Sequence, residues 1–382
     1  MMITFIRIST TLKCINYLRS MRYVSTSNTS DRFYINYLKW PEILKFHGPT
    51  GEEVLADVDL TGKTCLITGG TSGIGQEISK CLMSKNCNML MAVRNPYAIN
   101  NALNNLNKIN DSGTLKAYEV NLASLSSVKQ CVNQLLKEQK NIDIVILNAA
   151  VFGIPWSLTE DKLETVFQVN FLSQYYLLTS IVQILAKNGR VVIMSSDSHR
   201  NIKWSLQNTL LPTEDILSLP EDDYTSIKAY NVSKLCGILA MHYLAYRWMN
   251  TGKTIMCAHP GSFIKTKLCS NWWPYEVLYN VMTPFSKSIA QAASTPLYCA
   301  TAPELQSCSG FYFKNMKQAD ESDLAKDSHL SFKIIELSQN MLNERVGEIE
   351  EMVVETKRVE DVKTRKPDLE PKSTIAEALF SG

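Results

Sequence analysis

Short apolar runs recur through the middle of the chain. Each is followed by a longer stretch in which apolar residues return every three or four positions. Runs of that length suit strands buried on both faces, and the periodic stretches suit helices. The pattern predicts strands at Thr64–Thr68, Asn88–Val93, Leu115–Val120, Ile142–Leu147, Arg190–Ser196 and Ile255–Ala258, with Phe311–Phe313 as an edge strand. A helix is expected from Ile74 to about Lys85, and Asn95-Pro96 offers a cap and a first-turn proline to the next. Strands alternating with helices in this way give a parallel sheet. The expected fold is α/β: a doubly wound parallel sheet of about seven strands with helices on both faces.

The rhythm fixes the organisation. Residues 1–45 read as a leader, 46–345 as the folded domain, and 346–382 as a charged, flexible tail without a core stripe. Residues 196–230 are polar and weakly periodic, as expected of an insertion loop near a site. The leader carries Arg7, Lys13, Arg19 and Arg22 and no acid before Asp31. That composition suits a mitochondrial transit peptide; without that role the protein is expected in the cytoplasm.

Composition adds exclusions. A net charge of +2 gives no field that would favour nucleic acid. The ten cysteines include no CxxC pair. Cys65 and Cys257 fall in apolar runs, so reduced core thiols are expected rather than a disulfide framework or a zinc site. No apolar run is long enough for a spanning helix.

The candidate chemistry begins at the end of the first strand, with Thr68-Gly69-Gly70-Thr71-Ser72-Gly73-Ile74-Gly75. A strand that turns sharply into a helix here places backbone N–H groups and the helix N-terminus against a pyrophosphate. Gly69 permits the turn, Gly73 admits the ligand, and Gly75 allows close packing. Thr71, Ser72 and Ile74 complete the loop. After the second strand, where an acid would select NAD, the chain has Arg94. A guanidinium suits a 2′-phosphate, so NADP is preferred, with NAD as the alternative.

Far downstream, Tyr230 and Lys234 stand four residues apart, one helical turn. A phenol is a poor base until a neighbouring cation favours phenolate; it can then exchange a proton with a substrate oxygen. Ser196, at the end of the fifth strand, can hydrogen-bond the same oxygen, with Ser195 expected on the opposite face. Asn170 offers an anchor for a water leading from Lys234. His199 reads as a loop histidine, since the tyrosine already fills the role of base.

These motifs together resemble the short-chain dehydrogenase/reductase family, over about Leu60 to Met341. The resemblance implies a single Rossmann-fold domain and a tetrad of Asn170, Ser196, Tyr230 and Lys234, with substrate held by Ser196 and Tyr230. It implies further cofactor contacts from Asn121, Leu122, Asn148, Ala149, Pro260 and Gly261. Leu163–Asn170, Ser195–Arg200 and Ala229–Cys236 resemble the branch that contains retinol dehydrogenases and oxidoreductases bearing WW domains. That branch implies a small lipophilic substrate, steroid-like or retinoid-like. A WW domain itself is not expected, because Trp40 is the only tryptophan before Leu60.

Departures from the family pattern are Asn121 for the usual Asp, Ala150 for the usual Gly, and Lys265-Thr266 where a threonine is expected one position earlier. Trp156, Trp204, Trp272, Trp273 and Tyr275 are candidates for an apolar wall or a membrane-facing lip. The expected protein is an NADP(H)-preferring oxidoreductase without a transmembrane segment, open to peripheral membrane contact and to homo-oligomers. The competing expectation is a nucleotide-binding scaffold with little turnover.

Overall fold

A computed structural model describes residues 48–95, 113–204, 212–261, 264 and 287–347. The leader, the tail beyond Gly347, Pro96, Lys265, Thr266, Trp272, Trp273 and Tyr275 lie outside the described residues.

The strands among them are β1 (Thr64–Thr68), β2 (Asn88–Val93), β3 (Leu115–Glu119), β4 (Ile142–Leu147), β5 (Leu185–Met194), β6 (Thr254–His259), β7 (Phe311–Lys314) and β8 (Lys317–Gln318). They form one sheet in the order β3-β2-β1-β4-β5-β6-β7-β8. All neighbours pair in parallel except β7 and β8. The eighth strand, beyond the seven expected, closes a hairpin through Asn315 and Met316, both at positive φ. That backbone is the one a tight hairpin turn demands. It was hidden because Asn-Met lacks the usual glycine.

Side chains alternate across each strand and build two apolar layers. Leu66, Val145, Leu147, Val191, Ile255 and Tyr312 face one side. Cys65, Ile67, Ile144, Ile146, Val192 and Met256 face the other. Helix α1 (Gly73–Met83) packs on the second side. Helix α2 (Leu125–Glu138), the helical segment α3 spanning residues 165–180, and α4 (Ser226–Arg247) pack on the first. Helix α5 (Ser294–Thr301) joins α1, and α6 (Ser328–Val346) joins α4. Both faces are therefore covered, which is why the strands read as unbroken apolar runs.

The winding reverses between β1 and β4, the position at which open α/β sheets leave a crevice at the carboxyl ends of their strands. Between Ser196 and Tyr230 the described residues, 196–204 and 212–230, hold more regular structure than a polar insertion suggests. They carry a 3-10 turn (Asp197–Asn201), a short helix (Glu214–Leu217) and a second 3-10 turn (Glu221–Asp223).

Candidate active site

Thr68 ends β1, and Gly69 turns the chain at φ +65°. Gly73 opens α1 at φ +54°. A Cβ on Gly75 would lie 2.2 Å from the Gly69 carbonyl oxygen and 2.5 Å from Asn148 Nδ2. The close packing at Gly75 is therefore against the turn itself. The turn is tied to the end of β4: Asn148 Nδ2 donates to the carbonyls of Thr68 and Gly69, both at 3.1 Å. The Thr68 hydroxyl accepts from the N–H groups of Asn148 and Ala149 and donates to Gln174 Oε1 at 2.7 Å. Gln174 Nε2 in turn donates to the carbonyls of Ala149 and Asn170. The sequence places Thr68 in the glycine motif without this bridging role, and it does not single out Gln174. The one available signal was Gln174's place four residues after Asn170, on the same helical face.

A cleft of about 570 Å³ lies across these strand ends. Gly69, Thr71, Ser72, Gly73, Ile74 and Gly75 line it, together with Arg94, Asn121, Leu122, Asn148, Ala149, Tyr230, Lys234 and Pro260. Ser72 caps α1 without a side-chain hydrogen bond, so the first-turn N–H groups are left for a ligand. Arg94 is exposed at the rim. Asn121 Oδ1 accepts from the Ala123 N–H at 3.1 Å, a bond that aspartate makes equally well. Gly261 is outside the lining. It sits at φ +121°, where an added Cβ would meet the Lys287 side chain at 2.8 Å.

Helix α4 is capped by Thr225, whose hydroxyl accepts from the Lys228 N–H at 3.1 Å. One turn into the helix proper, Tyr230 and Lys234 face the cleft together. Lys234 Nζ is 5.3 Å from the Tyr230 ring centre. The lysine is buried and donates to the Met194 carbonyl at 2.8 Å. Burial holds its pKa down at about 8, well below the usual lysine range. Phe152 packs edge-on to the Tyr230 ring, centre to centre 5.0 Å.

The serines and Asn170 differ from expectation. Strand β5 ends at Met194, so strand alternation no longer governs Ser195 and Ser196. Ser195 lines the cleft, and its buried hydroxyl has no hydrogen-bond partner among the described residues. Ser196 is not in the lining; its hydroxyl caps the following 3-10 turn by accepting from the Ser198 N–H at 3.2 Å. Asn170 lies in a π-helical turn, Gln168–Leu172, within α3. Its amide is spent on both backbone groups of Val151 and on Ser233 Oγ, so it clamps the loop after β4 to α4. Trp156 donates to the Leu219 carbonyl, Trp204 packs on the main core, and neither lines the cleft.

A dinucleotide fits this set. The glycine cradle admits no Cβ at its closest point, helical N–H groups face the opening, and one buried serine hydroxyl awaits a partner. Phenol, ammonium and hydroxyl meet at the far end, as proton transfer to a bound oxygen requires.

Comparison with known proteins agrees. The family model described as short chain dehydrogenase matches residues 63–205. A WW domain-containing oxidoreductase of Drosophila melanogaster is 36% identical over 299 residues, 78% of this chain and 72% of that protein. Retinol dehydrogenase 12 of Mus musculus is 30% identical over 310 residues, 81% of this chain and 94% of that protein. Among solved structures, an uncharacterised protein of Mycobacterium paratuberculosis aligns with TM-score 0.60 and 24% identity, over 77% of this chain and 97% of its own. A metagenomic blue fluorescent protein in complex with NADPH aligns with TM-score 0.52 and 18% identity, over 67% and 97%. These last two likenesses concern the fold alone.

Proposed function

The chain belongs to the short-chain dehydrogenase/reductase family of oxidoreductases, and from that premise we propose an NADP(H)-preferring enzyme that interconverts a lipophilic alcohol and its ketone or aldehyde. The observation that carries the reading is the buried Lys234 ammonium beside the Tyr230 ring, in the cleft that the glycine turn lines.

A nicotinamide bound there would accept or supply the hydride. The chain's own groups handle the proton. An ammonium at this distance stabilises a phenolate, so Tyr230 takes the hydroxyl proton of an alcohol as the carbinol hydride departs. In the opposite direction the phenol returns the proton to the carbonyl oxygen. Ser196 would hydrogen-bond that oxygen once its hydroxyl turns from the Ser198 N–H, with the unpartnered Ser195 hydroxyl beside it. Gly69, Gly73 and Gly75 would hold the pyrophosphate, Asn148 and Asn121 the adenosine side, Pro260 and Gly261 the nicotinamide end, and Arg94 a 2′-phosphate.

Val151, Phe152, Val169 and Met194 give the catalytic end apolar walls, which suit a steroid-like or retinoid-like substrate. The name of the retinol dehydrogenase relative points to the same class. No helix among the described residues is long and apolar enough to cross a membrane.

The test uses NADPH with all-trans-retinal and a panel of hydrophobic ketones. Tyr230→Phe is expected to bind NADPH as the parent does and to lose turnover on the order of 10²- to 10⁴-fold. Full turnover in that variant ends the mechanism. Tight NADPH binding with no oxidation across the panel by the parent would instead mark a scaffold.

A further inference from the structure

We propose that His199 is the positioning residue for Ser196: a neutral imidazole, protonated on Nδ1, that fixes the Ser196 carbonyl and so sets where residues 195 and 196 present their hydroxyls. The proposal rests on the reading of Ser196 given above.

His199 is fully buried, at 0% exposure. Its two nitrogens have different partners. The Ser322 N–H reaches Nε2 at 3.2 Å. A backbone N–H only donates, so Nε2 must accept and carries no proton. The remaining proton sits on Nδ1, which donates to the Ser196 carbonyl at 2.7 Å. The tautomer follows from the network, and a general base is excluded because neither nitrogen is left for a substrate.

The strut has work to do because the sheet stops short. Beyond Met194 the one remaining bond to β6 is from the Ser195 N–H to the Ala258 carbonyl, at 2.9 Å. The Ser196 carbonyl therefore has no strand partner; besides the His199 ring it accepts from the His199 N–H, at a longer 3.3 Å. The Met194 carbonyl is held by Lys234 and the Ser196 carbonyl by His199, so both ends of the serine pair are tied by side chains. The His199 ring is itself braced: Tyr312 stands edge-on at 5.3 Å and donates its hydroxyl to Asp197 Oδ1 at 2.9 Å. Lys314 pairs with Asp197 Oδ2, and Arg200 donates to the Asp320 carbonyl. Residues 196–200 are thus stapled to β7 and to the 320–322 segment.

The charged and titratable groups around the ring are Asp197 and Arg200 on its own turn, Tyr312 and Lys314 on β7, His259 on β6, whose Nε2 is 3.6 Å from Asp197 Oδ2, and Glu321 beside Ser322, itself paired with His242 at 2.6 Å. Burial, with Arg200, holds the His199 pKa below the ordinary histidine value, while the hydrogen bond to the Ser196 carbonyl, then Asp197 and Glu321, act the other way. A histidine of lowered pKa contributes stability that is present above its unfolded pKa and lost as pH falls below it. Protonation would set an Nε2–H donor against the Ser322 N–H donor and release the strut.

The experiment uses the full chain with NADPH and all-trans-retinal. His199→Phe removes both bonds and keeps a ring. His199→Asn keeps a donor near the Nδ1 position. His199→Phe is expected to lower kcat about tenfold to a hundredfold, the scale of a misplaced reacting group, with NADPH affinity unchanged. His199→Asn should recover most of that loss. The acid limb of the parent's kcat profile should vanish in His199→Asn. In a Ser196→Ala background, His199→Phe should cost several-fold less than in the parent, the remainder acting through Ser195. Long-range ¹H–¹⁵N spectra of the parent at pH 7.5, assigned by loss of the signal in His199→Asn, should show a neutral ring protonated on Nδ1.

An Nε2–H tautomer or an imidazolium in those spectra overturns the proposal whatever the kinetics of the variants. So does an undiminished kcat in His199→Phe while Ser196→Ala is crippled, which leaves the reading of Ser196 standing. Full turnover in Ser196→Ala overturns both.

Discussion

The exits of β1 and β5 open onto the same cleft but are built by opposite means. Residues 69–75 shape the β1 exit with backbone alone, through positive φ at Gly69 and Gly73 and the absence of a Cβ at Gly75. The β5 exit is held by side chains recruited from far along the chain: Lys234, Tyr312, Lys314 and, through His199, the Ser322 backbone. The first arrangement leaves backbone N–H donors facing the cleft. The second sets the Ser195 and Ser196 hydroxyls, which on the proposed function serve the reacting oxygen. Substitutions at the first exit should therefore act on cofactor affinity, and those at the second on turnover.

Gly75→Ala tests the first half of that division and should have the largest effect. Its methyl would stand 2.2 Å from the Gly69 oxygen, which Asn148 already holds at 3.1 Å. The obstacle is backbone, so relief requires the turn to move. Overpacking of this kind costs about 1–3 kcal/mol of stability. NADPH affinity is expected to fall more than about a hundredfold, because on the proposed function the displaced N–H groups hold the pyrophosphate. A fluorescence titration of NADPH reads this directly. A folded variant with the parent's affinity would show that the cradle is not where the phosphates sit.

The contrast between the exits also explains what the sequence disclosed. Strand positions were legible because both sheet faces are buried, so the apolar runs are continuous. The glycine turn was legible because its conformational demands fall on neighbouring residues. Tyr230 and Lys234 share one helical turn, again a local relation. Illegible features depended on distant partners. Asn170 reads from the sequence as a water anchor, and its side-chain bonds to Val151 and Ser233 have no local sign. Strand alternation puts Ser195 on the face opposite Ser196, and that argument fails because β5 ends at Met194. His199 gave no local sign that Ser322, 123 positions away, would fix its tautomer.

Lys234 joins the two regions, and the next largest effect is expected there. It reaches the β5 exit through the Met194 carbonyl, yet its charge is costly to bury. The folded pKa of about 8 lies below the 10.5 of an ordinary lysine, so between those values the unfolded chain binds more protons. Stability of the cofactor-free protein should therefore rise with pH through that window. Lys287, also lowered to about 8 by burial, titrates in the same range. Lys234→Met separates them. Discounting for the lost hydrogen bond, the variant should be more stable than the parent at pH 7 by about 1–2 kcal/mol, with the gap closing above pH 8. Turnover should collapse at the same time. Calorimetry at pH 7 and 9.5 checks this, and a variant less stable than the parent at pH 7 would mean that the ammonium is not held against a desolvation cost.

The smallest effect belongs to Arg94, which tests whether the β1 side of the cleft also chooses the cofactor. The residue is exposed, so any attraction to a 2′-phosphate is screened by water and salt. Arg94→Ser should weaken NADPH binding by about tenfold at low salt, leave NADH binding unchanged, and narrow the difference between them as ionic strength rises. Thermal shifts with each cofactor measure both terms, since a ligand stabilises according to its occupancy. Equal losses for NADPH and NADH would place Arg94 on the pyrophosphate instead. No loss for either would make it a solvated surface arginine, and cofactor preference would then have to come from elsewhere in the wall formed by Asn95 and Asn121.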